Sequence, residues 1–252
     1  MAKTAHLRVE LIACSSFYAP SDIEWDTPPE TPDSEALIEF AGRACYETFD
    51  KPNPRTADNS AYIRHIMEVG HLALLEHPTA TLYIRGLSRA ATHELTRHRH
   101  FSFSQLSQRF VHAEHAEVVV PPLIDRNEEL RRLFMEAVDE TRFVYNELVD
   151  ALEQQLDGES NALLRRKQAR QAARAILPNA TESRIVVSGN FRNWRHFIGM
   201  RASEHADNEI REVAVRCAEV LRSAAPAVFS DFEVTTLSDG SRMASSPFVS
   251  DF

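Results

Sequence analysis

The chain has 252 residues, 43% of them hydrophobic and 26% charged, and its 37 acids against 28 bases leave a net charge of −9. These proportions belong to a folded globular chain and exclude a disordered one. No apolar run reaches the roughly 18–20 residues of a membrane helix, and Met1 to Leu7 lacks a basic-then-apolar leader, so a cytoplasmic protein with no membrane partner is expected.

In chain order, Leu7 to Ala13 has the composition of a strand. Pro20 to Asp33 holds four prolines and five acids and reads as an exposed loop. Ser34 to Phe49 is a predicted helix capped by Asp33 or Ser34, with Leu37, Phe40, Ala41, Ala44 and Cys45 turned inward. Asn59 to Val69 is a second helix, ending at Gly70. Thr79 to Ile84 reads as a strand, Leu87 to Arg99 as a helix, and Val118 to Val120 as a short strand closed by Pro121 and Pro122.

Glu128 to Leu156 carries the clearest pattern. Leu130, Leu133, Phe134, Ala137, Val138, Thr141, Val144, Tyr145, Leu148, Ala151, Leu152 and Leu156 follow the three-four spacing of a long amphipathic helix, a stripe suited to a core or a subunit interface. A basic helix follows from Asn161 to Leu177, stopped by Pro178; Ser183 to Ser188 is a strand, and Asn193 to Ala225 is helical in one or two pieces. From Leu237 the chain is Ser-rich and expected to be loose. The predicted class is α+β: a helix-rich single domain over residues 1–236, packed around a small mixed or antiparallel sheet, with 237–252 as a tail.

The acidity is uneven. Between Tyr83 and His112 there are five arginines and one acid, Glu94, for +4; between Arg165 and Arg201 there are nine bases and one acid, Glu182, for +8. The remainder therefore carries −21. A solvated helix face uses lysine as freely as arginine, yet the second island has eight arginines and one lysine, Lys167. Arginine is the residue for forked recognition of phosphate or carboxylate, so these islands point to an anionic ligand. Arg166, Arg170 and Arg174 stand four apart along one face, as do Arg89, His93 and Arg97. Asn190, Arg192, His196 and Arg201 form a third cluster at a strand-to-helix junction. The seven glycines never approach closer than ten positions, so no glycine-rich phosphate loop exists and side chains must hold any phosphate.

Several rival chemistries fail on these residues. His93-Glu94-Leu95-Thr96-Arg97 begins like a zinc-protease helix but has Arg where the second histidine belongs. His98-Arg99-His100 sets a cation between its imidazoles, so no metal site is expected. Ser107 lacks the flanking glycines of a nucleophile elbow. Cys14, Cys45 and Cys217 are scattered and odd in number, fit neither disulfide framework nor zinc ribbon, and lie outside the basic islands a thiolate would favour. An alternative use of the islands is binding of RNA or single-stranded nucleic acid, with Phe101 and Phe103 as stacking rings. The −21 elsewhere repels a long polyanion and argues against it.

The stretch Arg97-His98-Arg99-His100-Phe101-Ser102-Phe103-Ser104-Gln105-Leu106-Ser107 resembles the hallmark of flavin-dependent thymidylate synthases: Arg-His-Arg, seven residues, then Ser. Gly70-His71 with Leu75-Glu76-His77, then Ala172 to Pro178, then Asn190 to Arg201 followed by Ala202-Ser203-Glu204-His205-Ala206, are similar to that family's other blocks in order, and the likeness runs from Leu7 to Val234. The resemblance implies a transferase of dTMP biosynthesis: methylation of dUMP to dTMP with 5,10-methylenetetrahydrofolate, FAD as hydride carrier and NADPH as its reductant. It also implies a homotetramer with shared active sites. By the same likeness Ala73, Arg97, His98, Arg99, Gln105, Asn190, Arg192 and His196 are flavin contacts. Glu94, Leu95, Thr96, Arg97, Gln105, Leu106, Ser107, Gln108, Arg109 and Arg174 belong to the dUMP site, and Arg201 is the catalytic arginine that polarises the uracil near N3. Gln105 stands where some relatives carry Glu and His196 where some carry Asn, and at Ala73 only the backbone can act.

Overall fold

The computed structural model describes residues 2–249. It gathers into two compact units, each drawn from three stretches of sequence. One takes the N-terminal stretch through Arg8 with Ile84–Leu95 and Ser104–Ile185; the other takes Val9–Tyr83, Thr96–Phe103 and the chain from Val186. The strands β1 (Arg8–Cys14), β2 (Thr79–Ser88), β3 (Ser102–Gln105) and β4 (Glu182–Asn190) form one sheet in the order β1-β2-β4-β3. With helices in the majority, the class is α+β as expected. No helix among the described residues is long and apolar enough to cross a membrane.

In the first unit α3 (Arg89–Leu95) is followed by α4 (Pro122–Asp125), α5 (Glu128–Gln155) and α6 (Ala162–Ala173). Asn127 and Asn161 start α5 and α6, each side-chain oxygen accepting two orphan N–H groups of the first turn. α5 packs on α6, and Tyr145, Val149, Ala113 and Ala173 share one buried cluster while Met135 and Val138 join Ala2, Val118 and Val120 in another. The apolar stripe read along this helix is only partly core: Val138 and Tyr145 are buried, but Leu130, Leu133 and Val144 are exposed. α3 is shorter than predicted. It stops at Leu95, because Phe101 N–H turns back to the carbonyl of His98 and the chain then extends into β3. Arg97 therefore does not continue the Arg89–His93 helical face. In β2, Gly86 (φ +73°) passes so close to the His6 carbonyl that a Cβ would sit 2.0 Å from its oxygen.

The second unit holds α1 (Asp33–Ala44), α2 (Asn59–Glu68), α7 (Phe191–Arg201), α8 (Asn208–Ala224) and α9 (Pro226–Phe229). α1 ends five residues before the predicted stop, and its buried face differs from the predicted one. Glu35, Ile38, Glu39, Gly42 and Arg43 are buried while Ala44 and Cys45 are exposed. The reason is a buried polar network: Arg43 Nε donates to Glu39 at 2.7 Å, and Asn59 Nδ2 donates to the other Glu39 oxygen at 2.9 Å. Paired in this way, charged side chains enter a core that hydropathy alone assigns to their apolar neighbours. Trp25, in the Pro-rich loop, is also drawn in, edge-on to Phe40 at 5.2 Å.

The aromatic core of this unit is built on α7 and the C-terminal helices, with Phe191, Trp194, Phe197, Phe229 and Phe232 fully buried and Cys217 of α8 among the buried residues. The Ser-rich stretch is not loose. β5 (Glu233–Thr236) and β6 (Arg242–Ser245) pair antiparallel with Thr236 opposite Arg242. Glu212 and Glu219 of α8 clamp Arg242 at 2.6 and 2.5 Å, and Ala244 N–H donates to the Ala202 carbonyl. Tail residues 250–252 lie outside the described residues.

Candidate active site

Asn190 ends β4 and caps α7, its Oδ1 accepting the Asn193 N–H at 2.8 Å. The cap fixes where the helix begins and so which side chains share a face: Arg192 and His196, four apart, point outward, while Trp194, Phe197 and Ile198 point into the core. The segment Arg97–Phe101 is laid against this helix. Phe101 packs on Trp194 with ring centroids 4.5 Å apart, in space that only Gly189 leaves open, since a Cβ there would lie 2.3 Å from the Phe101 ring. Asn193 Nδ2 holds the His100 carbonyl at 2.9 Å. His98 stands edge-on to Phe197 at 5.1 Å and accepts a hydrogen bond from Arg201 Nε at 3.0 Å.

Of the residues predicted by resemblance, the second unit thus brings together His98, Asn190, Arg192, His196 and Arg201 around α7. Arg97 and Arg99 flank His98 as exposed cations, and Ala73 lies exposed in the short helical turn Leu72–Glu76. Arg192 pairs with Glu76 of that same turn. Burial first, then the nearby Arg201, His196 and Arg97, push the His98 imidazole down to about 4. Burial, His100 and Arg192 also lower His196. Both rings are neutral at pH 7, although each sits in one of the two basic islands of the sequence.

The remaining candidates belong to the first unit. Leu95 is fully buried, so only its backbone can meet a ligand, which narrows the role read for it; Glu94 beside it is half-buried. Gln105 Nε2 donates to Ser183 Oγ at 3.0 Å and Leu106 N–H to the Arg184 carbonyl at 2.8 Å, tying this stretch to β4. Ser107 then opens a turn, its carbonyl accepting from the N–H groups of Phe110 and Val111. Arg109 leans over the Phe110 ring, with Lys167 of α6 on that ring at 5.2 Å and Arg170 donating to the Phe110 carbonyl at 2.6 Å. Arg174 follows α6 in a single tight turn, half-buried. A cavity of about 600 Å³ in this unit is lined by Leu106 and Gln108 but by none of Arg109, Arg170 or Arg174. Sequence reasoning missed the parts that hold the α7 site in shape: Gly189, Phe101, Asn193 and Glu76. An Asn three positions before another Asn at a strand's end was the visible signal for the cap; the others needed three dimensions.

Residues 29–227 match the family model described as thymidylate synthase complementing protein. The flavin-dependent thymidylate synthases of Corynebacterium glutamicum and Corynebacterium diphtheriae are 73% and 71% identical to the chain, covering all of both partners; that of Mycobacterium tuberculosis is 57% identical over 251 residues. A solved UMP/dUMP methylase, PolB from Streptomyces cacaoi bound with 5-Br dUMP, has the same fold, with a TM-score of 0.70 at 20% identity over 91% of this chain and 96% of that one. An α+β fold, an Arg-His-Arg segment docked on α7, and kinship that leaves no part of the chain unmatched lead to one assignment: this chain belongs to the flavin-dependent thymidylate synthase family.

Proposed function

We propose that the chain methylates dUMP at C5 to give dTMP, with 5,10-methylenetetrahydrofolate as carbon donor and NADPH-reduced FAD as hydride source. The observation that carries this reading is the docking of Arg97–Phe101 on α7, which gathers cations, neutral imidazoles and an amide without a glycine loop. That donor set suits a flavin: guanidinium groups at Arg97, Arg99 and Arg192 for the pyrophosphate, and His196 and Asn190 for polar ring atoms. Ala73 supplies backbone only, and Gln105 its carbonyl, its amide N–H already serving Ser183. Bound FAD supplies the hydride that turns a methylene group into a methyl group.

The chain's own residues do the rest. Arg201 sets a fixed cation at the N3–C4 or N3–C2 edge of the uracil and stabilises the negative charge that develops as C5 becomes nucleophilic. No thiolate adduct is required, in keeping with Cys217, the one cysteine of α8, being buried and its thiol pushed far up by burial. Thr96, Leu95 and Glu94, with Gln105, Leu106, Ser107, Gln108 and Arg109, contact the nucleotide, and Arg174 receives its dianionic phosphate. A homotetramer with shared sites and a cytoplasmic location belong to the same reading. The exposed Leu130, Leu133 and Val144 of α5 are the apolar face another subunit covers. Nucleic acid is no partner, because the charge outside the two islands is −21.

The test is tritium release from 5-labelled dUMP, with FAD, folate and NADPH withheld one at a time. Release is expected only in the complete mixture. Release that persists without flavin, or a complete mixture that releases nothing, ends the proposal.

A further inference from the structure

We infer that His98 is a positioning residue for the methylation chemistry: its unprotonated Nε2 fixes the Nε of Arg201 and thereby aims the guanidinium fork at the pyrimidine. The inference deepens the reading above and rests on it for the identity of the substrate. It departs from the role the resemblance gives His98, that of a flavin contact.

The geometry comes first. Phe197 and Arg201 are one helical turn apart on α7, so their side chains lie side by side. The His98 ring covers both, edge-on to Phe197 at 5.1 Å and bonded to Arg201 Nε at 3.0 Å. A long arginine side chain left to solvent samples many rotamers, and pinning Nε removes most of that freedom before substrate arrives. A guanidinium held through Nε keeps its planar shape, which matches a carbonyl–N–H edge.

His98 is itself held from three sides. Its carbonyl accepts the Phe101 N–H, Phe101 is wedged against Trp194 in the gap at Gly189, and Asn193 grips the carbonyl of His100 two residues on. The ring is thus locked to the rigid core of the unit, and Arg201 is locked to the ring.

The contact also dictates protonation. Arg201 Nε always donates, so His98 Nε2 must accept, and the single ring proton sits on Nδ1. A protonated imidazole would face N–H against N–H. Burial and the cations Arg201 and Arg97, with His196 and His100 close by, hold the ring neutral down to about pH 4. The contact therefore survives across the whole working pH range.

Three variants and one spectrum test this. His98→Phe keeps the edge-on packing and removes the acceptor; we expect kcat to fall roughly 10- to 100-fold, with FAD affinity, read by quenching of flavin fluorescence, within about threefold of wild type. His98→Gln restores an acceptor oxygen and should recover most of that loss. In an Arg201→Ala background, His98→Phe should cost less than threefold more, since the group it aims is gone. In ¹⁵N-histidine spectra of the flavin-free protein, the signal lost in His98→Gln should be that of a neutral Nδ1–H tautomer, unchanged between pH 5.5 and 8.5. Thermal unfolding confirms that each variant is folded.

Multiplying losses in the double variant, FAD affinity falling in step with kcat, or a His98 signal titrating near pH 6.5 would overturn the inference. Failure of tritium release in the wild-type enzyme strikes the proposed reaction instead, and leaves the spectrum to decide the His98–Arg201 contact by itself.

Discussion

Arg195 and Arg170 show two ways of holding a guanidinium. In the second unit Arg195, 3% exposed, forms a fork with Asp231 at 2.6 and 2.7 Å and stacks under Phe232. Arg43 and Arg242 are treated alike, with Glu39 in one case and Glu212 with Glu219 in the other. In the first unit Arg170 and Arg165 are anchored on backbone carbonyls, those of Phe110 and Glu159. A carboxylate cancels the cation it holds; a carbonyl fixes the side chain and leaves its net charge in place. The first arrangement builds structure and the second keeps positive potential for an anion. The sequence count of arginines cannot separate the two, whereas the partner atom does.

The sharpest break of this contrast is Asp231→Ala. It leaves Arg195 buried and uncompensated, and should cost about 3–5 kcal/mol in urea unfolding; a loss below about 1 kcal/mol would move Arg195 out of the structural class. Next is Arg201→Ala, for which kcat should fall about 10²- to 10³-fold, as when one oxyanion-hole donor is lost, with the folded state intact. Turnover at the wild-type rate removes Arg201 from the chemistry.

A third test concerns a buried carboxylate that pairs with no cation among the described residues. Burial pushes Glu35 up to about 7, against the N–H groups of Ala227 and Val228, which favour its charged form. The native state then holds this proton more tightly than the unfolded chain, whose carboxyl titrates near 4.5. Its contribution to stability is greatest below pH 4.5 and declines as pH rises to 7, by at most about 3 kcal/mol. Glu35→Gln keeps an acceptor for Ala227 and should flatten that slope in unfolding measured from pH 5 to 8. The smallest effect is expected at Arg174→Ala: dUMP binding weakened about 10-fold with a nearly unchanged melting temperature, the converse of Asp231→Ala. A melting point falling as far as in Asp231→Ala would erase the distinction.

Much of the site was legible because its residues are close in sequence and chemically unusual. Arg97-His98-Arg99 and the Asn190–Arg201 stretch announce themselves, whereas the start of α7 was read at Asn193, two residues inside the helix that Asn190 caps. The length of α5 and the stop of α2 before Gly70 were equally readable, since periodicity and a glycine at φ +76° are local signals. What failed was whatever depended on a distant partner. Hydropathy placed Ala44 and Cys45 inside α1 because it could not see Asn59 completing the Glu39–Arg43 pair. Leu237 onward read as loose because nothing nearby reveals that Glu212 and Glu219 await Arg242. The end of α3 was misjudged for the same reason: Thr96 to Arg99 continue a helical pattern, and only the pocket waiting for Phe101 draws the chain away.

Cys217 gives the molecule a built-in clock. Its thiol is fully enclosed in α8, whereas Cys14 and Cys45 lie exposed. A maleimide added to the native enzyme should consume two sulfhydryls per chain within minutes, and the third only when α8 comes away from its neighbours. The slow phase then times the opening of the helical layer packed on α7, with no engineered reporter.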